Sequence, residues 1–316
     1  MTARVHSIQF RAMGCQMGAW VVANDPAAAG QHLWEAREFF LKVEACCSRF
    51  LPDSELSRVN ARAGQRVRVS ELFCEVLGKA LECATRTGGL FDPTVLSALE
   101  DAGYDRTFEA IQEDAGPPPP NRALPASWRD ICVERGMVMV PEGTRLDLGG
   151  VAKAWAADCA AIRLAGLGPC LVDAGGDLMA LGAPPGQPGW PIGVADPRRP
   201  DADLAVLWVR DCGVATSGVD FRRWRRGGVV QHHIIDPRTS KPARTDVLAV
   251  TVIAEDALEA NVHALTALIL GFREGLCYLR DQGGVEALLV REDGQVQATP
   301  GFPQYIAYPA LGGFSG

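Results

Sequence analysis

The segment richest in reactive side chains runs from His232 to Pro242, where His232, His233, Asp236, Arg238, Thr239, Ser240 and Lys241 crowd a proline-framed turn. A random surface turn seldom concentrates so many reactive types, and two histidines close the strand that leads into it. Asp236 and Arg238 can equally form a structural clamp within the turn. Three other segments can hold an anion. In Asp147-Leu148-Gly149-Gly150-Val151-Ala152-Lys153 an apolar run ends in two glycines and opens a helix. Such a turn offers backbone N–H groups and a positive helix end, and Lys153 adds charge. A tight turn that simply needs glycines is the alternative. In Asp173-Ala174-Gly175-Gly176-Asp177 the paired glycines allow another backbone to approach closely. Ala215-Thr216-Ser217-Gly218 offers hydroxyls and amides as phosphate donors, or is a strand end with a polar turn.

Other chemistries find little support. Ser217 does not sit in a G-x-S-x-G elbow, and the chain has neither HExxH nor CxxC for zinc. It also lacks GxGxxG and the P-loop, which argues against nicotinamide dehydrogenases and the common nucleotide triphosphatases. The net charge is −7, and the one basic group is Arg222, Arg223, Arg225 and Arg226, so no nucleic-acid partner is expected. Ten cysteines scattered through apolar patterns read as reduced, buried thiols. The start, MTARVHSIQF, lacks a charged segment followed by an apolar one, and no uncharged apolar run reaches membrane-spanning length. The expectation is a soluble, cytoplasmic protein without a membrane partner.

The elements that must carry these residues follow from periodicity. Residues 7–23 alternate as a strand, and 31–47 and 71–87 have helical spacing, the latter stopped by Gly88 and Gly89. Phe91, Asp92 and Pro93 open an extended piece. Residues 102–129, with Pro117 to Pro120, read as an irregular surface excursion. Strands are predicted at 137–140 and 145–148, a helix over 151–165, and then strands near 170–173, 178–181, 190–195, 204–209, 213–216, 229–235 and 247–254. A helix over 256–270 and a strand at 285–291 complete the pattern. Most connections are too short for parallel crossovers, so the fold class is α+β, with largely antiparallel sheets and packed helices in a single domain over 1–316.

The four segments occur in order behind Met13-Gly14-Cys15, the run Ser48-Arg49-Phe50-Leu51-Pro52-Asp53-Ser54-Glu55-Leu56-Ser57-Arg58-Val59-Asn60, and Gly88-Gly89-Leu90-Phe91-Asp92-Pro93-Thr94-Val95. In that combination the chain resembles the FAD:protein FMN transferases, the ApbE-like family, over about residues 10–290. The resemblance implies two intertwined halves holding FAD between them, use of magnesium, and transfer of FMN to a Thr or Ser hydroxyl of an acceptor protein with release of AMP. It places Met13, Phe50, Phe91 and Asp92 at the flavin, Asp147 and Lys153 near the nucleotide, and Ile235 against it. The residue reading adds Asp177, Thr216 and Ser217 to the cofactor contacts. His233 corresponds to the histidine that deprotonates the acceptor.

For the metal, the resemblance implies a main-chain carbonyl at the glycine turn, taken as Gly150, and an Asp and a Thr four residues apart on the late helix. This sequence has Asn261 and Leu265 there. A one-residue slip that uses Thr266 would pair it with Val262, and His263 with Glu259 lies on another face. Cys15 stands where Thr is usual and Ser240 where glycine is usual. The alternative to a transferase is a non-catalytic flavin-binding protein or an FAD pyrophosphatase.

Overall fold

The computed structural model describes residues 3–111 and 127–309; Pro117 to Pro120 lie outside the described residues. The chain forms two compact units, each discontinuous in sequence. The first comprises 1–41, 153–218 and 245–316, and the second 42–152 and 219–244. The division falls inside two continuous helices, Pro26–Cys47 and Gly149–Leu164.

In the first unit, eight described strands make one sheet. The order is Arg4–Ala12, Cys15–Ala23, Cys170–Ala174, Asp177–Leu181, Cys212–Gly218, Val247–Ala254, Glu286–Arg291, Val296–Ala298. Every neighbouring pair is antiparallel, as the short connections require. The region expected as one strand over 7–23 is instead a hairpin. Its last pair, Ala12 and Cys15, leaves Met13 at φ 52° and Gly14 at φ 71°. Two left-handed residues in a two-residue loop match the right-handed twist of the flanking strands. A second antiparallel sheet, Ile306–Pro309 with Arg199–Val209 and Trp190–Asp196, contributes Trp190, Ile192, Leu207 and Val209 to a core shared with Leu171, Ile253, Leu288 and Phe302. The helix Ala257–Leu270 starts against Gly213, where an added Cβ would collide with the backbone of Asp256.

In the second unit, helices Glu55–Ala61, Glu71–Arg86 and Leu96–Asp101 accompany a small sheet of Arg66–Arg68, Met137–Met139 and Cys132–Glu134. The first two helices start on Ser54 and Ser70, whose hydroxyls accept the N–H groups of Ser57 and Phe73. Two hairpins follow, Arg223–Arg226 with Val229–His232 and Ile235–Asp236 with Lys241–Pro242. The expected continuous strand 229–235 is therefore interrupted, and His233 sits in the break. The expected strand 145–148 is also absent. Only Arg145 bridges, to Val95. The backbone there is satisfied by other groups: Leu146 exchanges two hydrogen bonds with the Asn60 side chain, and the Asp147 N–H donates to the Pro93 carbonyl.

Mixed helix and antiparallel sheet is the architecture expected from the sequence. Within the segment read as irregular, the described residues include single 3-10 turns at Phe108–Ala110 and Trp128–Asp130. No described helix is long and apolar enough to cross a membrane.

Candidate functional site

In the second unit the glycine turn is built from below by an arginine. Arg49, its side chain only 6% exposed, donates from Nε to Asp147 Oδ2 at 2.8 Å. The other oxygen of Asp147 accepts the Gly149 N–H at 2.9 Å. Asp147 thus caps the helix Gly149–Leu164, whose first turn carries Gly149 and Gly150. The guanidinium lies over the rings of Phe50, 4.1 Å from its centroid, and Tyr104, at 4.6 Å. Its Nη2 is buried and has no hydrogen-bond partner among the described residues. An orphaned buried donor costs about 1–3 kcal/mol, a strain that the ring contacts and the Asp147 pair hold in place. In the sequence Arg49 is one residue of the run from Ser48 to Asn60. Nothing in the spacing links it to a carboxylate 98 positions away.

Of the residues expected at the flavin, Phe91 is buried with its ring 3.0 Å from where a Cβ on Gly150 would lie, so glycine at 150 is a packing requirement. Asp92 accepts both the N–H and the hydroxyl of Thr94 through one oxygen. Burial pushes its pKa up, against those bonds and the nearby Arg129. Phe50 is partly exposed. Ile235, expected against the nucleotide, is buried in a cluster with Ala98, Leu99, Ala102, Tyr104 and Trp224.

The paired histidines differ. The Ile234 N–H donates to His232 Nδ1 at 3.3 Å, which makes that nitrogen the acceptor, so the proton resides on Nε2 and is donated to the Ala243 carbonyl at 3.0 Å. Burial lowers the pKa of His232, and Arg223 lowers it further against the Ala243 bond, so the ring is neutral and structural. His233 lies in the interrupted strand next to it. Asp236 clamps its own turn through bonds to the Arg238 N–H, Nε and Nη2.

In the first unit, Lys153 Nζ lies 3.4 Å from the buried Asp177 carboxylate. Asp173 accepts the Gly176 N–H at 2.8 Å, and burial raises its pKa. A Cβ on Gly175 would stand 2.7 Å from the Cβ of Cys15, so the hairpin that carries Met13 rests on this glycine. Thr216 shares a hydroxyl contact of 2.9 Å with Thr251 on the neighbouring strand, and Ser217 is buried. Asp158, which no sequence motif marked, accepts the N–H groups of Ala257 and Leu258 with its two oxygens. It caps the helix that bears Asn261. Burial, reinforced by Asp256, pushes its pKa up to about 8 against those two bonds.

That helix does not supply a magnesium cage. Asn261 and Leu265 are both half-buried, four residues apart. Thr266 is fully buried and donates its hydroxyl to the Val262 carbonyl at 2.7 Å, so it cannot replace the missing oxygen. Both nitrogens of His263 are engaged, Nδ1 with the Tyr278 hydroxyl at 2.8 Å and Nε2 with Glu259 at 3.5 Å. Among the described residues no three His, Cys, Asp or Glu side chains gather as metal ligands. Magnesium prefers several hard, usually anionic oxygens. The donor set here does not fit it.

Comparison with known proteins agrees with the fold. Residues 13–289 match the model of the ApbE family. The FAD:protein FMN transferase of Treponema pallidum is 34% identical over 275 residues, covering 79% of this chain and 74% of that protein. That of Rhodobacter capsulatus is also 34% identical, over 78% of this chain and 48% of that protein. Among solved structures, the ApbE protein of Thermotoga maritima superposes with a TM-score of 0.85 at 28% identity, covering 96% of this chain and all of that one. The flavin transferase ApbE from Vibrio cholerae shares the fold at TM-score 0.76 and 22% identity, over 96% of this chain and all of that one.

Proposed function

This chain belongs to the ApbE family, and we propose that it is a flavin transferase that moves FMN from FAD onto a Thr or Ser hydroxyl of an acceptor protein, with release of AMP. The observation that carries this reading is the contact chain from Arg49 through Asp147 to the Gly149 N–H. It fixes the start of a helix whose dipole suits a pyrophosphate.

In the reaction the hydroxyl oxygen of the acceptor attacks the phosphorus of the FMN half. The bond from that phosphorus to the AMP phosphate breaks, AMP leaves with the bonding electron pair, and a phosphoester to the acceptor remains. His233 takes the hydroxyl proton. Phe50, Phe91 and Asp92 position the flavin, and the protein's work is placement and electrostatics. No step is assigned to a metal.

The test is incubation of the purified chain with FAD and a Thr-containing acceptor peptide. AMP and covalent peptide–flavin in equal amounts are expected. AMP without covalent flavin on any peptide leaves hydrolysis alone, and absence of both ends the transferase reading.

A further inference from the structure

The four arginines of residues 222–226 stand out on a chain of net charge −7. They belong to the two-stranded hairpin Arg223–Arg226 with Val229–His232, which pairs with no other described strand. Its faces are unlike. Trp224 and its cross-strand partner Gln231 are buried, and the Trp224 indole N–H donates to the Ala102 carbonyl at 2.9 Å. On the opposite face Arg223 stands across from His232 and Arg225 across from Val230. Neither of these two arginines has a carboxylate partner among the described residues. Phe221, at the entry to the hairpin, is 85% exposed.

Resting on the transferase reading, we infer that this face is the docking strip for the acceptor protein, and that the segment it takes is extended and acidic. Charge complementarity picks the occupant: two unneutralised guanidiniums on one strip match carboxylates, and the unpaired hairpin edge offers backbone groups to an extended chain. The register is set by the hairpin. Arg223 lies opposite the residue that precedes His233, and Arg225 is two residues, roughly 7 Å, beyond it. An acceptor hydroxyl held at His233 would then place carboxylates about two and four residues away on the two arginines. Phe221, two residues before Arg223, offers an apolar contact at the His233 end of the strip.

The experiment uses the full chain and two fluorescent twelve-residue peptides with a central Thr. One has Asp two and four residues from the Thr on both sides, and the other has Asn at those four positions. At low salt the acidic peptide is expected to bind at least tenfold more tightly. Arg225→Glu is expected to remove at least fivefold of that advantage, Arg225→Gln a smaller part, and FAD titration should stay within twofold of the unmodified chain for both. Equal binding of the two peptides overturns the inference, as does an Arg225→Glu protein that keeps the full preference of the unmodified chain for the acidic one. Binding to phosphatidylserine vesicles without any peptide preference overturns it in favour of a membrane surface. An acidic preference in a chain that neither binds FAD nor forms AMP upholds the strip and sinks the transferase reading, which separates the two failures.

Discussion

Arg49 and Asp147 form a buried pair in which each also serves a neighbour: the guanidinium spans two aromatic rings, and the carboxylate caps the glycine turn. Asp147→Asn keeps an oxygen for Gly149 but faces Arg49 with an uncharged amide. Leaving that guanidinium buried without its anion should destabilise the protein by about 3–5 kcal/mol, read as a shift of the urea unfolding midpoint. FAD affinity should fall with it, since the turn loses its anchor.

The two histidines should separate by readout. His233→Gln is expected to lower the rate of covalent flavin formation about 10²–10⁴-fold with FAD affinity within threefold. His232→Phe removes both a donor and an acceptor used by the backbone, and should cost about 1–3 kcal/mol of stability. A transfer defect in His232→Phe as deep as that of His233→Gln, with stability intact, would exchange their roles.

Much of this arrangement was legible in the sequence and some was not. The four long helices and most strands of the eight-stranded sheet followed from apolar periodicity, whereas the short helices Glu55–Ala61 and Leu96–Asp101 did not, and the glycine turns announced themselves. The strand expected at 145–148 failed because its backbone is satisfied by Asn60 and Pro93, partners too distant for any local pattern to show. The hairpin at Met13 and Gly14 has a local signal, a glycine between two alternating runs. Asp158 and Arg49 act only through tertiary contacts. No composition or spacing marks them.

Asp158 gives a pH signature. Its folded-state pKa is raised from 3.8 to about 8. The stability it contributes is therefore fully present below the ordinary carboxylate range and is lost as pH rises through about 8. Asp158→Asn does not titrate, so urea midpoints of the two proteins at pH 5, 7 and 9 should move in favour of the variant as pH rises. A constant gap would mean that the carboxyl titrates as in the unfolded chain.

Chelation should leave FAD affinity within threefold, because the late helix offers too few hard oxygens to make binding depend on magnesium. Restoring the pair with Asn261→Asp and Leu265→Thr should create a magnesium dependence of tenfold or more in FAD titrations. Strong magnesium dependence in the unmodified chain would show that ligands other than these suffice.

Ser240 adopts φ 56°, a left-handed conformation that glycine takes freely. Ser240→Gly should raise stability by about 0.5–1 kcal/mol, visible in the thermal midpoint, after the extra entropy of glycine in the unfolded chain is counted.

The contact between Cys15 and Gly175 sets different freedoms on its two members. Whatever follows Gly14 brings a Cβ unless it is itself glycine, and that atom already occupies the space a side chain at 175 would need. Residue 15 can therefore drift in chemistry, exchanging hydroxyl for thiol, while residue 175 is held by geometry alone. Among descendants of this chain, variation should accumulate at the first position and be purged at the second.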